Sequence, residues 1–304
     1  MSKIQVNKLH TLTGHNDCIY ALTEGTDPRF FYTGAGDGMV VEWDLDQPDD
    51  GKLIAKLPHS VYALEVDKER NLLFIGHNFE GIHVIDLNEN KEIWSIKFTD
   101  QAIFDIKIFG SEAFIGTGDG ILTIIDIPNQ SLKKRVKLSS KSIRVMSISP
   151  NNLHLALGLS DNSIKVLDLR NDYQPIANLS GHEKSVFGLT YSPDEKTLVS
   201  GSRDARLKFW NVSDYALDET IVAHMYAINY LSFKEDGKYM VSCSMDKSIK
   251  VWDVEERKLL KVIDKARNAG HGTSINKVLW SSYSGQVVSV SDDRTISIWQ
   301  IEEN

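Results

Sequence analysis

Leu198-Val199-Ser200-Gly201-Ser202-Arg203-Asp204-Ala205-Arg206-Leu207-Lys208-Phe209-Trp210-Asn211, with Gly181-His182 ahead of it, reads as two short apolar runs joined by a polar turn at Asp204. Apolar and aromatic residues on both sides of a short polar break are a hairpin signal. The pattern recurs. Asp37 is followed by Trp43-Asp44, Asp246 by Trp252-Asp253 and Asp293 by Trp299-Gln300, each time with Trp six residues on. Weaker copies lie at Asp119 with Ile125-Asp126, at Asp161 with Leu167-Asp168, and at Phe79-Glu80 with Ile85-Asp86.

With Glu80 as the irregular anchor, the positions 37, 80, 119, 161, 204, 246 and 293 are 43, 39, 42, 43, 42 and 47 residues apart. A repeat of about 40–45 residues is the period of a four-stranded propeller blade. Seven units fill the 304 residues, so the chain is expected to form one domain spanning 1–304. Each unit buries its faces only against its neighbours. The expected blades cover about 18–57, 61–97, 103–137, 143–176, 186–222, 228–263 and 275–300.

Gly14-His15…Trp43-Asp44, Gly181-His182…Trp210-Asn211, Ala223-His224…Trp252-Asp253 and Gly270-His271…Trp299-Gln300 resemble the WD40-repeat family. The resemblance implies an all-β, seven-bladed β-propeller of four-stranded antiparallel blades. It also implies that an N-terminal strand near 6–12 closes the last blade, because after Trp299 only five residues remain, too few for a fourth strand. Such pairing leaves no open sheet edge.

Composition narrows the function. Lys plus Arg number 34 against 42 Asp plus Glu, a net charge of −8. Nucleic-acid binders carry a basic face, and beyond Lys133-Lys134-Arg135, read as the solvated side of an outer strand, none is visible. No nucleic-acid or membrane partner is expected, since no apolar run nears the roughly 20 residues of a membrane span. The start, Met1 to Asn7, has no apolar region of the secretory type. Cys18 and Cys243 are the only cysteines and sit in different repeats, which points to a reducing, cytoplasmic compartment.

Gly36-Asp37-Gly38 and Gly116-Thr117-Gly118-Asp119-Gly120 look superficially like phosphate loops, but strands rather than helices follow them, so hairpin turns are expected. The acidic loop Asp44 to Gly51 lacks the bidentate Glu of a helical-hairpin calcium loop and, with Pro48, reads as a plain turn. The stretch 264–270 reads as a longer loop before the last blade.

The resemblance further implies hydrogen-bonded tetrads of His, Ser or Thr, the turn Asp, and Trp. The matching sets are His15, Thr33, Asp37, Trp43; His182, Ser200, Asp204, Trp210; His224, Ser242, Asp246, Trp252; and His271, Ser289, Asp293, Trp299. A Ser–His–Asp set can suggest a catalytic triad, yet four copies, each with a Trp, argue for a structural device in each blade. One histidine per blade, with no Cys-x-x-Cys or His-Glu-x-x-His spacing, argues equally against a metal site. No cofactor and no enzymatic activity are expected.

On the family pattern, the residue after the first apolar position of each innermost strand lies near the mouth of the central channel: Tyr20, Tyr62, Phe104, Arg144, Phe187, Asn229 and Asn276. Four are aromatic and one is Arg, the residue types enriched among interface anchors. A ring–guanidinium–ring arrangement of Phe104, Arg144 and Phe187 could hold an acidic group, with the rings taking an apolar or cationic side chain. Packing of these aromatics between blades is the alternative. Arg203, Met245, Asp292 and Phe79, each just before a turn anchor, would join the rim. The expected function is a non-enzymatic scaffold binding a peptide or protein on this top face, alone or within a multiprotein complex. The alternatives are a small-ligand-binding or enzymatic propeller using the central channel, and a complex subunit using its side or bottom surfaces. His77, His83 and His154 fall outside the tetrad positions and read as exposed strand residues.

Overall fold

The 28 strands of the computed structural model, which describes residues 4–151 and 153–303, form seven separate four-stranded antiparallel sheets. Residues 1–3, 152 and 304, included in the expected span 1–304, lie outside the described residues. The fold is an all-β, seven-bladed β-propeller. Blade five shows the plan, with strands Val186–Tyr191, Thr197–Ser202, Arg206–Asn211 and Leu217–Val222 running from innermost to outermost. In the last blade, Ile4–Leu12 pairs with Ile296–Glu303, from Ile4 opposite Glu303 to Leu12 opposite Ile296. The N-terminal strand therefore closes this sheet, reaching a few residues beyond the expected 6–12 and 296–300.

Contacts group the chain into two compact units. One holds blades one, six and seven (residues through Val61 and from His224), the other blades two to five (Tyr62–Ala223). Within each, burial follows position in the blade. The second strand is buried on both faces, as in Leu72–His77 and Tyr239–Ser244. The outermost strand alternates with water, as in Ser131–Lys137. A strand covered on both faces needs a continuous apolar run, whereas one that meets water on one side can alternate with polar residues. Each core lies between neighbouring blades; Phe74 and Ile82 of blade two, for example, pack with Ile103 and Ile115 of blade three.

Two local devices set the blade geometry. Three residues before the turn position, Gly34, Gly76, Gly116 and Gly158 lie against the next blade. A Cβ added there would come within 2.6 Å of Val61, 2.8 Å of Ile103, 2.7 Å of Ile143 and 2.8 Å of Val186 respectively, too close for any side chain. In six innermost strands, ladder register also slips at the second residue, skipping Tyr20, Phe104, Arg144, Phe187, Asn229 and Asn276. Such bulges re-aim the side chain at the extra residue.

The structure corrects three readings. In blade two, Gly76 pairs with Ile82 as Gly201 pairs with Leu207 in blade five, which puts Phe79, not Glu80, at the position of Asp204. Phe79 takes φ +70 and is half-exposed. Positive φ at that position makes a different turn from the one Asp builds elsewhere. The stretch 264–270 contains a one-turn helix, Lys265–Asn268, because the Asp264 side chain accepts the Arg267 amide and caps it. His77 is buried rather than exposed, and His83 and His154 are half-buried.

Candidate functional site

Each tetrad forms one continuous hydrogen-bonded chain. In blade five, Trp210 Nε1 donates to Ser200 Oγ (2.8 Å), which meets His182 Nε2 (2.8 Å), and His182 Nδ1 meets Asp204 (2.9 Å). Blade six repeats this with Trp252–Ser242 at 2.9 Å, His224–Ser242 at 2.7 Å and His224–Asp246 at 2.8 Å. The set in blade seven reads 2.9 Å for Trp299–Ser289, 2.9 Å for His271–Ser289 and 3.1 Å for His271–Asp293. Blade one is looser at one end: Trp43–Thr33 and His15–Thr33 are 2.8 Å, but His15–Asp37 is 3.4 Å. In each chain the hydroxyl accepts from the Trp and can exchange a hydrogen bond with imidazole Nε2, while Nδ1–H can donate to the carboxylate, so every polar atom of the chain has a partner.

The carboxylate does further work. One oxygen of Asp204 accepts the amide of Glu183, next to the histidine, and the other accepts the amide of Arg206, across the turn. Burial alone would raise this carboxyl, but the His182 bond and the two amides outweigh it and hold it at about 2. Asp246 and Asp293 are lowered further by the same kind of balance, burial opposing and the His224 or His271 bond prevailing. Burial pushes His15 and His224 below the usual imidazole range despite the facing aspartates. At Asp246 the His224 hydrogen bond lowers the carboxyl most, with attraction to the His224 ring and bonds from Ser248 and the Met225 amide adding to it. Ser200, Ser242, Ser289 and Thr33 are fully buried, so no substrate can reach their hydroxyls.

Blades two to four carry shorter substitutes. Thr117 bonds Asp119 (2.6 Å), and Asp161 accepts from Ser139 (2.5 Å) and Ser163 (2.6 Å). In blade two, Asn78 accepts the Ile103 amide at 3.0 Å. Blade two also holds a chain the sequence did not reveal: His77 Nδ1 lies 3.2 Å from His83 Nε2, and His83 Nδ1 lies 3.1 Å from Glu92. His83 and Glu92 lie on neighbouring strands and His77 ends the strand before them, so only the ladder register brings the three together. Among the described residues, no group of three or more His, Cys, Asp or Glu is placed to hold a metal ion. In the acidic loop, Asp44 is engaged by Arg29, and Asp46 accepts from Tyr283 (2.5 Å). Lys133 pairs with Glu112 and Lys134 with Asp172, both near the Tyr173 ring.

The second cluster lies at the second residues of the innermost strands of the Tyr62–Ala223 unit, three of them bulged. Tyr62 stacks on Phe104 with centroids 5.9 Å apart and planes at 18°. The Arg144 guanidinium lies 4.0 Å from the Phe104 ring centre and 5.3 Å from that of Phe187. Its Nε donates to Ser160 Oγ at 3.0 Å. Four blades thus contribute one continuous row, Tyr62–Phe104–Arg144–Phe187, all half-exposed. The Phe104 face is already occupied by a cation, which leaves no room there for a cationic ligand side chain and narrows what the row can accept. The stacking of Tyr62 on Phe104 was not visible in the sequence. Arg203 is exposed in the same unit.

In the other unit the equivalent amides are engaged. Asn229 Nδ2 donates to Ile275 O (2.8 Å) and Ser274 Oγ (3.1 Å). Asn276 Nδ2 donates to Ile19 O and to Asp292, both at 2.8 Å. Both tie one blade to the next. Tyr20 is half-buried, and Met245 is 50% exposed beside the exposed Met225 and Tyr226.

Comparison with known proteins singles out the blades that carry tetrads. The profile of a family described as "WD domain, G-beta repeat" matches residues 6–44, 173–211, 217–253 and 260–300, just over half of the chain. Each of these four stretches ends one residue after a tetrad tryptophan. The chain is 24% identical over 217 residues to Protein groucho of Drosophila melanogaster, a match covering 68% of this chain and 29% of that protein. It is 28% identical over 214 residues to APC/C activator protein CDH1 of Saccharomyces cerevisiae, covering 68% of this chain and 37% of that one. A 66 kDa stress protein of Physarum polycephalum is 23% identical over 246 residues, covering 67% and 41%. The matched stretch thus spans less than half of each relative. No helix among the described residues is long and apolar enough to cross a membrane.

Proposed function

Because the chain belongs to the WD40-repeat family, we propose that it is a non-enzymatic interaction scaffold that binds a peptide or protein partner through its top face. The row Tyr62–Phe104–Arg144–Phe187 carries this reading. Aromatic residues and Arg anchor interfaces because they bury large areas for few rotatable bonds, and here a bulge in three of the four strands turns the anchor out of the ladder. Met245, with Met225 and Tyr226, is proposed as a contact area of the other unit, where Tyr20 holds the equivalent strand position. Asn229 and Asn276 serve that face by holding neighbouring blades together.

The tetrads are proposed as structural, since their hydroxyls are sealed from solvent. A protein partner fits better than a nucleic acid, given a net charge of −8 and lysines of the one basic run already paired. The name of the yeast relative, an activator of APC/C, is in keeping with action inside a multiprotein assembly. The two free cysteines suit a reducing compartment such as the cytoplasm.

Affinity capture from the source cell, using the wild type and an Arg144→Glu, Phe187→Ala double variant of equal thermal stability, tests the proposal. Partners held by the wild type are expected to fall at least tenfold with the variant. Partners retained at the wild-type level would move the binding site to the sides or base.

A further inference from the structure

Arg144 is a half-exposed cation with no counter-charge among the described residues. Its Nε is engaged by Ser160, and the two terminal nitrogens have no acceptor among the described residues. No carboxylate of the described residues forms an ion pair with it. The acids in the surrounding turns are spoken for: Asp161 by Ser139 and Ser163, Asp119 by Thr117, Glu183 by Arg206 and Asp204 by His182. Burial disfavours its charged form most, Tyr62 partly offsets this, and a second cation, Arg203, adds to it.

A guanidinium cannot shed its proton, so partial burial between rings with no anion is a standing cost. Guanidinium donors radiate in the plane of the group, and contact of that group with rings leaves the terminal pair available as a fork. That fork matches a carboxylate or phosphate two bonds at a time. Arg203, exposed and with no ion pair among the described residues, adds a second positive charge near enough to act on Arg144. A bound anion would remove the burial cost and the mutual repulsion together.

We infer that Arg144 receives an oxyanion side chain of the bound peptide, phosphate or carboxylate, while Phe187 and Tyr62 contact the residues flanking it. This rests on the peptide-binding reading above and adds the chemical class of the partner. A second cation close enough to act on Arg144 favours a doubly charged phosphate over a carboxylate.

The test uses the whole protein and degenerate peptide libraries with a fixed central phosphoserine, glutamate, serine or leucine, at constant ionic strength. Retention of the phosphoserine or glutamate library is expected to exceed that of serine at least tenfold. Arg144→Gln should erase the difference, and Arg144→Lys, which keeps the charge but not the fork, should restore part of it. Phosphoserine ahead of glutamate assigns a phosphorylated partner; glutamate level with it or ahead assigns an acidic one. Equal retention of the serine or leucine library, lost on Phe187→Ala, would overturn the anion inference and leave the peptide-binding face standing. No retention of any library would overturn the inference too, and the capture experiment would then decide the peptide-binding reading by itself.

Discussion

Trp210→Ala is expected to destabilise the protein by about 3–5 kcal/mol, the usual cost of deleting a buried aromatic ring. Trp210 is 2% exposed, and its indole is the donor that starts the blade-five chain through Ser200 and His182 to Asp204. The loss has two parts. The vacated ring volume accounts for most of it. The remainder, about 1 kcal/mol, comes from the Ser200 hydroxyl left without its donor in a fully buried position. Trp210→Phe separates the two, keeping much of the volume but not the indole N–H. For a chain of this length, about 1.5–2 °C of melting temperature corresponds to each kcal/mol. The Ala variant should therefore melt about 4.5–10 °C lower, and the Phe variant between it and the wild type. An unchanged midpoint for both would show that the tetrad contributes nothing to stability.

Acid should unfold the protein in two stages. Folded His15 and His224 refuse protons that the unfolded chain accepts below its pKa of about 6.5, so stability falls as pH drops below that value. The depressed carboxylates act lower down. Asp204 at about 2, and Asp246 and Asp293 below their usual range, stabilise the fold above the unfolded pKa of about 3.9, and this is lost as pH falls through the folded values. For Asp204, whose side chain is 2% exposed, the shift is worth about 2 kcal/mol. Urea midpoints at pH 7, 5 and 3.5 should fall progressively, with the steepest loss below pH 4. Asp204→Asn should flatten the lower stage. Equal midpoints at pH 7 and pH 3.5 would contradict this assignment.

The fold was legible because one signal repeats: turn Asp, then Trp six residues on, with His ahead. Where all the parts are present, as around Asp204 and Asp246, strand positions and turn anchors came out in register. Where they are missing, only spacing remains, and in blade two that put the anchor at Glu80 when ladder pairing puts it at Phe79. Asp264 caps a single helical turn through one side-chain bond, a signal too short for periodicity to show. The candidate site was legible as residue types, since the second position of each innermost strand could be counted. Its geometry was not. Whether Asn229 and Asn276 face solvent or bind the next blade, and whether Tyr62 reaches Phe104, depend on bulges and on blade spacing set by Gly34, Gly76, Gly116 and Gly158. Those are tertiary facts.

The central claim is that the bulged row of the Tyr62–Ala223 unit is a binding surface. Hydrogen exchange on the whole protein, with and without a captured partner, tests it most directly. The account predicts that slowed exchange is concentrated at the starts of the innermost strands Ile103–Phe109, Ile143–Ile148 and Val186–Tyr191 and in the turns beside them. Protection confined to outer strands such as Ser131–Lys137 or Gln174–Leu179, with no change at Phe104, Arg144 and Phe187, would contradict it.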